Sequence, residues 1–288
     1  MAMKRTLDTL RCWFDSASAP AGSDLLRVLP LIAVHAGCLG ALWVGASLEL
    51  VGLAAALFAL RMFAVTAFYH RYFSHRAFRC SRPMQFLFAV LGASAVQRGP
   101  LWWASHHRHH HAHADRPADA HSALQHGFAW SHAGWFLARE NFATRQELVA
   151  DLARFPELRF LDRYDALVPA LLAAALYAAG GLEYVVWGLC ISTVALWHAT
   201  FTINSLAHRF GSRRYATRDH SRNNLWLALL TFGEGWHNNH HHYPGAAHQG
   251  FYWWEVDLSW YGLKLLAALG LVHELRRVPA AVREARKR

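Results

Sequence analysis

Cysteine is scarce and dispersed. Cys12, Cys38, Cys80 and Cys190 lie far apart with no C-x-x-C pair, which argues against a disulfide scaffold and against a cysteine-built zinc module. Charge is also thin, at 17% of the 288 residues, whereas 54% are apolar. That is too apolar for a disordered chain and too charged for a protein made of membrane spans alone. The opening MAMKRTLDTLRCWFDS has no long apolar core before a small-residue cleavage site and does not read as a secretory signal. Lys and Arg exceed Asp and Glu by 29 to 19, a net +10 that raises nucleic acid as a partner.

Long stretches have no basic residue at all. Between Arg27 and Arg61 only Glu49 is charged, and Asp165 to His208 is likewise free of Lys and Arg. Each stretch exceeds the roughly 20 residues one helix needs to cross a bilayer. Turns near Gly45–Glu49 and Ala178–Glu183 divide them into two hairpins, with spans at about 25–45, 48–69, 166–181 and 184–206. Neither turn carries a Lys or Arg, while 70–164 and the tail after 208 are rich in Arg. The positive-inside rule then places both termini and the segments 70–164 and 208–288 in the cytoplasm. Arg61 is the awkward residue, a cation inside the second span that must snorkel or face the bundle interior. Pro83–Val96 is too short to span and suits an interfacial or re-entrant piece, and 251–273 suits a cap or interface helix. With the charge partitioned by the membrane, nucleic-acid binding loses its support.

Histidine is the abundance: 21 residues, clustered. His70-Arg-Tyr-Phe-Ser-His75 ends the second span, SHHRHHHAH fills 105–113, His208 ends the fourth span one turn after Asn204, and WHNNHHHYP fills 236–244. All fall on the side assigned to the cytoplasm from Arg alone. On a helix, positions i and i+4 are about 40° apart and i+3 points the other way. In H-x-x-H-H the outer histidines therefore aim at one ion and the middle one at another. The pattern occurs at His107/His110/His111 and at His237/His240/His241, and the repeat favours two adjacent ions. His106/His109/His110 fits the same spacing, so geometry leaves the register of the first run open. Imidazole suits zinc, copper, iron or nickel, so the count does not name the metal.

HRYFSH at 70–75, HRHHH at 107–111, SHAGWF at 131–136, NSLAH at 204–208 and GEGWHNNHHHYP at 233–244 together resemble the membrane fatty acyl desaturases, specifically the acyl-CoA (stearoyl-CoA, delta-9) branch. The resemblance covers roughly residues 28–272 and implies an all-α fold. In that fold four membrane helices carry a cytoplasmic histidine-rich helical cap, as a single domain over 1–288. The family's H-R-x-H-H box sets the register through Arg108. The resemblance implies one iron held by His70, His75, His107, His111 and His240. It implies a second held by His110, His208, His237 and His241, with Asn204 fixing a metal-bound water. His70 and His75 are about 140° apart on a straight α-helix, so sharing an ion requires that helix end to bend or unwind.

Trp103 resembles the family's tunnel tryptophan, and Trp102 and Trp197 read as interfacial or core aromatics. Asp115, Asp119 and Glu234 are placed to orient imidazoles, or simply to be solvated. Arg76, Arg79 and Arg98 are candidates for the phosphates of a CoA carrier, or plain positive-inside arginines. His106, His109 and His242 read as polar neighbours of the boxes. No H-P-G-G haem motif is present, so electrons come from a separate ferredoxin- or cytochrome-type protein with its reductase. The implied activity is O2-dependent formation of a cis double bond, delta-9, in a C16–C18 acyl chain, in a bacterial-type inner membrane. The rivals are a di-iron hydroxylase of alkane, sterol or carotenoid, and a non-catalytic metal-binding membrane protein.

Overall fold

The computed structural model describes residues 24–287. The N-terminal reading, Cys12 included, lies outside them. The chain is mostly helical, with one exception to an all-α expectation. Strands β1 (Arg79–Cys80) and β2 (Val272–His273) pair antiparallel and tie the end of the first histidine box to the C-terminal region.

Helix α1 (Asp24–Gly37) runs on through Cys38–Gly40 and Ala41–Val44. Gly45 then turns the chain at φ 70°, a left-handed conformation that favours glycine, and Ser47 caps α2 (Leu48–Ser74) by accepting from Leu50 N–H at 3.2 Å. The second hairpin lies within α6 (Leu167–Ser205). Gly180 and Gly181 leave helical geometry there, Gly181 at φ 67°, splitting the run into two antiparallel arms at the turn that Ala178–Glu183 predicts. Both α2 and α6 are long and apolar enough to cross a membrane, and α1 supplies a shorter apolar run, Val28–Val44. The apolar window of α6 is only 11% buried against 44% for α2, so α2 is the inner helix and α6 presents its side chains outward. Leu42, Trp43 and Leu48 are more than four-fifths exposed at the first turn, an apolar surface that water does not favour.

The remaining helices close one end of this bundle. Helix α3 (Arg82–Ala93) is 12 residues long, too short to span, as Pro83–Val96 suggests. It lies against α2, where Phe88 stacks on Phe68 at 3.7 Å between ring centroids. Helix α4 (Pro100–His113) carries the second histidine run. Its N-terminus is capped from α5 (Pro156–Arg163): Asp162 accepts Trp102 N–H at 2.7 Å. Burial pushes the Asp162 carboxyl up to about 6 against the pull of that bond. Helix α7 (His237–His242) carries the third run, and α8 (Leu258–Ala268) packs on α2.

Candidate metal centre

The end of α2 resolves the angular problem at the first box. Ala64–Ser74 is wound as a π-helix, and His75 N–H donates to His70 C=O at 3.3 Å, an i→i+5 bond. Five residues then complete about one turn, which swings His70 and His75 to the same side. Their ring centroids are 5.0 Å apart. Arg108 secures this end from the neighbouring helix, its guanidinium donating to the carbonyls of Ser74 at 3.0 Å and Phe73 at 2.8 Å. It anchors one histidine helix to the other.

Nine imidazoles converge in two groups: His70, His75, His107, His111 and His240 in one, and His110, His208, His237 and His241 in the other. These are the two sets the resemblance implies. The middle histidines of α4 and α7 cross to the opposite group, as helical phase requires. Within the groups Nε2 faces Nε2: His75–His107 at 2.8 Å, His70–His240 at 3.0 Å, His111–His240 at 2.9 Å and His208–His237 at 3.0 Å. His106 and His109 stay out; the first donates its Nε2–H to Ala143 C=O at 3.1 Å and the second stacks on His113. His242 bonds Val282 C=O and stacks on Tyr215.

Carboxylates stand behind four of the nine rings. Asp115 is 2.8 Å from His208 Nδ1, Asp119 is 3.0 Å from His110 Nδ1, Asp219 is 2.9 Å from His241 Nδ1, and Glu234 bonds His70 Nδ1. A carboxylate on Nδ1 holds the N–H there and leaves the Nε2 lone pair facing inward. A lone pair so presented is satisfied by a cation or by an N–H on the facing ring. Two nitrogens each about 2.1 Å from one ion, at right angles, are about 3.0 Å apart, which matches the pairs observed. His241 Nε2, buried and without a hydrogen-bond partner, is the same signature. The residues therefore fit two metal ions.

The electrostatics agree. Burial, with the neighbouring imidazoles adding to it, holds His75, His107, His111, His237 and His240 well below 6.5, so each is neutral at physiological pH and able to ligate. His241 is lowered to about 4 by burial, against the opposing pull of Asp219. Burial raises the carboxyls, but hydrogen bonds and charge from the histidines win: Asp115 falls to about 2, and Asp119, Asp219 and Glu234 fall below their ordinary values. Arg71, buried beside His70, completes the frame by bridging Glu234 at 3.2 Å and Asp257 at 3.0 Å.

A cavity runs from Pro30 and Leu31 on α1 past Val96 and Phe201 to His70, His107, His110 and His237. Asn204 lines it one turn before His208. Trp103 lines it too, stacked at 5.1 Å on His107, with its indole N–H donating to Gln97 Oε1 at 3.2 Å. Gln97 in turn donates to Thr200 at 2.9 Å. Sequence reading missed Gln97, Thr200 and Asp219; no motif marks them, and only the crossing of remote segments brings them in. Trp102 and Trp197 also line it, the Trp102 indole N–H donating to Asn141 C=O at 2.9 Å. Arg76, Arg79 and Arg98 are each paired, with Asp151, Glu274 and Asp165.

An apolar cavity ends at two histidine groups able to hold metal ions on a bundle of apolar helices, and comparison with known proteins gives the family. The family model described as fatty acid desaturase matches residues 46–283. The chain is 42% identical over 216 residues to an sn-2 palmitoyl-lipid 9-desaturase from Nostoc sp. (strain 36), covering 73% of this chain and 75% of that one. It is 38% identical over 264 residues to an acyl-CoA 5-desaturase from Anemone leveillei, covering 90% and 81%. A palmitoyl-monogalactosyldiacylglycerol delta-7 desaturase from Arabidopsis thaliana is 41% identical over 218 residues, 75% of this chain and 58% of that one. The chain belongs to the fatty acid desaturase family.

Proposed function

We propose that this protein introduces a cis double bond, delta-9, into a saturated C16–C18 acyl chain lying in the cavity. Two irons, held by the five- and four-histidine groups, supply the oxidising power for unactivated C–H bonds, which no protein side chain has. The reaction balances as a –CH2–CH2– unit plus O2, two electrons and two protons giving –CH=CH– and two waters. The observation that carries the reading is the apolar cavity ending on both imidazole groups.

The chain's own residues bind and orient. Leu31, Val96 and Phe201 exclude water from the acyl chain, Trp103 sets its path beside His107, and the four carboxylates fix the imidazole tautomers. The four apolar helices of the two hairpins span the membrane with the metal end in the cytoplasm, where a separate electron-transfer protein docks. The sequence motifs support an acyl-CoA substrate. A second reading, a glycerolipid-bound acyl chain, is favoured by the likeness to the Nostoc protein, which is named for a lipid substrate.

Expression in a host lacking its own desaturase, with mass spectrometry of both the acyl-CoA pool and extracted lipids, tests this. New monounsaturated chains with one dominant bond position are expected, absent when His107→Ala replaces the wild type. Hydroxylated chains instead would turn the assignment to a hydroxylase, and no product at all would remove it.

A further inference from the structure

Arg61 stands midway along α2, 1% exposed, where a charge in an apolar bundle is costly and ordinarily paired. Among the described residues it has no carboxylate partner. A guanidinium offers five N–H donors, and all five are used on neutral acceptors. Nε donates to Leu57 C=O at 3.1 Å. One terminal nitrogen donates to Ser94 C=O at 3.2 Å and to the Thr193 hydroxyl at 2.6 Å. The other donates to Gly188 C=O at 3.2 Å and to the Ser192 hydroxyl. The side chain thus joins α2, the end of α3 and the second arm of α6, and the cation is held by dipoles alone.

What it holds is the start of the connection between α3 and α4. That segment, Ser94–Gly99, forms the cavity wall through Val96, Gln97 and Arg98. Val96 at φ 58° and Arg98 at φ 68° are both in the left-handed region without being glycine, a strained arrangement that persists only under external restraint. At the start of the segment the restraints are Arg61 on Ser94 C=O, the Trp197 indole N–H on Ala95 C=O at 3.1 Å and Val96 C=O at 3.2 Å, and the Gln97–Thr200 bond; its far end is held at Arg98 by the Asp165 ion pair at 2.6 Å and by the Tyr69 hydroxyl on Arg98 C=O at 3.3 Å. Gln97 also receives the Trp103 N–H, and Trp103 stacks on His107.

We propose that Arg61 is a positioning residue for the site of desaturation: by pinning Ser94 it fixes the strained wall segment, and through Gln97 and Trp103 it fixes which carbons of the acyl chain lie beside the metal groups. This rests on the desaturase reading above. It concerns where the bond forms rather than whether it forms, because Arg61 touches neither the cavity nor an imidazole.

The test compares wild type with Arg61→Met, Arg61→Lys and Thr193→Val in a desaturase-free host, reading the ratio of double-bond positional isomers by mass spectrometry alongside protein recovered from the membrane. Arg61→Met should raise the minor isomers several-fold relative to the major one. Arg61→Lys, with three donors, should fall between it and wild type, a graded rescue that loss of stability alone would not produce. If Arg61→Met is not recovered, Thr193→Val decides: it keeps the guanidinium, removes one acceptor and should still increase the minor isomers. An unchanged isomer ratio in the recovered variants overturns this inference alone, whereas an inactive wild type overturns the function and this inference together.

Discussion

Asp219→Asn isolates the contribution of a carboxylate outside the cavity lining and outside both histidine groups. Asp219 is 8% exposed; one oxygen is 2.9 Å from His241 Nδ1, and the other accepts the Ser221 N–H at 2.9 Å and the Ser221 hydroxyl at 2.5 Å. In the asparagine variant the carbonyl oxygen stays with the two Ser221 donors, which turns the NH2 toward His241. Nδ1 must then accept, the ring proton moves to Nε2, and the nitrogen facing the metal position loses its lone pair. Replacing a carboxylate behind a ligating histidine costs about 10- to 100-fold in metal affinity. That is about 1.4 to 2.8 kcal/mol, and the forced tautomer places this variant at the upper end. Purified protein challenged with graded chelator, with bound iron counted per chain, gives the readout. Glu157→Gln, which removes only the exposed ion pair with Arg82, serves as control. Equal iron retention by Asp219→Asn and wild type would refute the tautomer argument.

Two further outcomes follow from the packing and the charge. His75, His107, His111, His237 and His240 take up protons far less readily in the fold than near pH 6.5 in the unfolded chain. Stability of the metal-stripped protein is therefore full above about pH 6.5 and falls as pH drops below it, because the unfolded chain takes up protons that these buried rings do not. Thermal unfolding in detergent between about pH 7.5 and about pH 5.5 should show a steep loss, and a flat profile contradicts the burial of these rings. At Gly92 an added Cβ would lie 2.0 Å from the Tyr69 ring, whose hydroxyl bonds Arg98 C=O at 3.3 Å. Gly92→Ala should cost about 1 to 3 kcal/mol of stability, seen as a lower Tm, and a Tm equal to wild type contradicts the tight α2–α3 contact.

Much of this arrangement was legible in the sequence because its physics is local. Runs without Lys or Arg marked the hairpins, and the glycines at 45 and 180–181 marked their turns. Spacing within H-x-x-H-H separated the outer histidines from the middle one, because helical phase decides which share a face, but the register of the first run came only from the resemblance carried by Arg108. The first box was less legible. Whether Ala64–Ser74 winds with i→i+4 or i→i+5 bonds depends on what packs around it, here Arg108 on the carbonyls of Phe73 and Ser74. The sequence could only say that His70 and His75 needed an unwound helix. Asp219 and the Gln97–Thr200 pair were invisible for a related reason: each acts through a partner far along the chain. Asp115, Asp119 and Glu234 sat near the boxes, but only burial and the facing Nδ1 atoms separate a tautomer-fixing carboxylate from a solvated one. Arg61 shows the same divide. Its oddity was plain from hydropathy, whereas its five neutral acceptors come from three helices.

The most direct measurement is an anomalous-scattering map at the iron edge from crystals of the iron-loaded protein. Two peaks are predicted, one enclosed by His70, His75, His107, His111 and His240 and the other by His110, His208, His237 and His241. A single peak, or peaks outside these imidazoles, contradicts the two-ion centre on which the proposed chemistry rests.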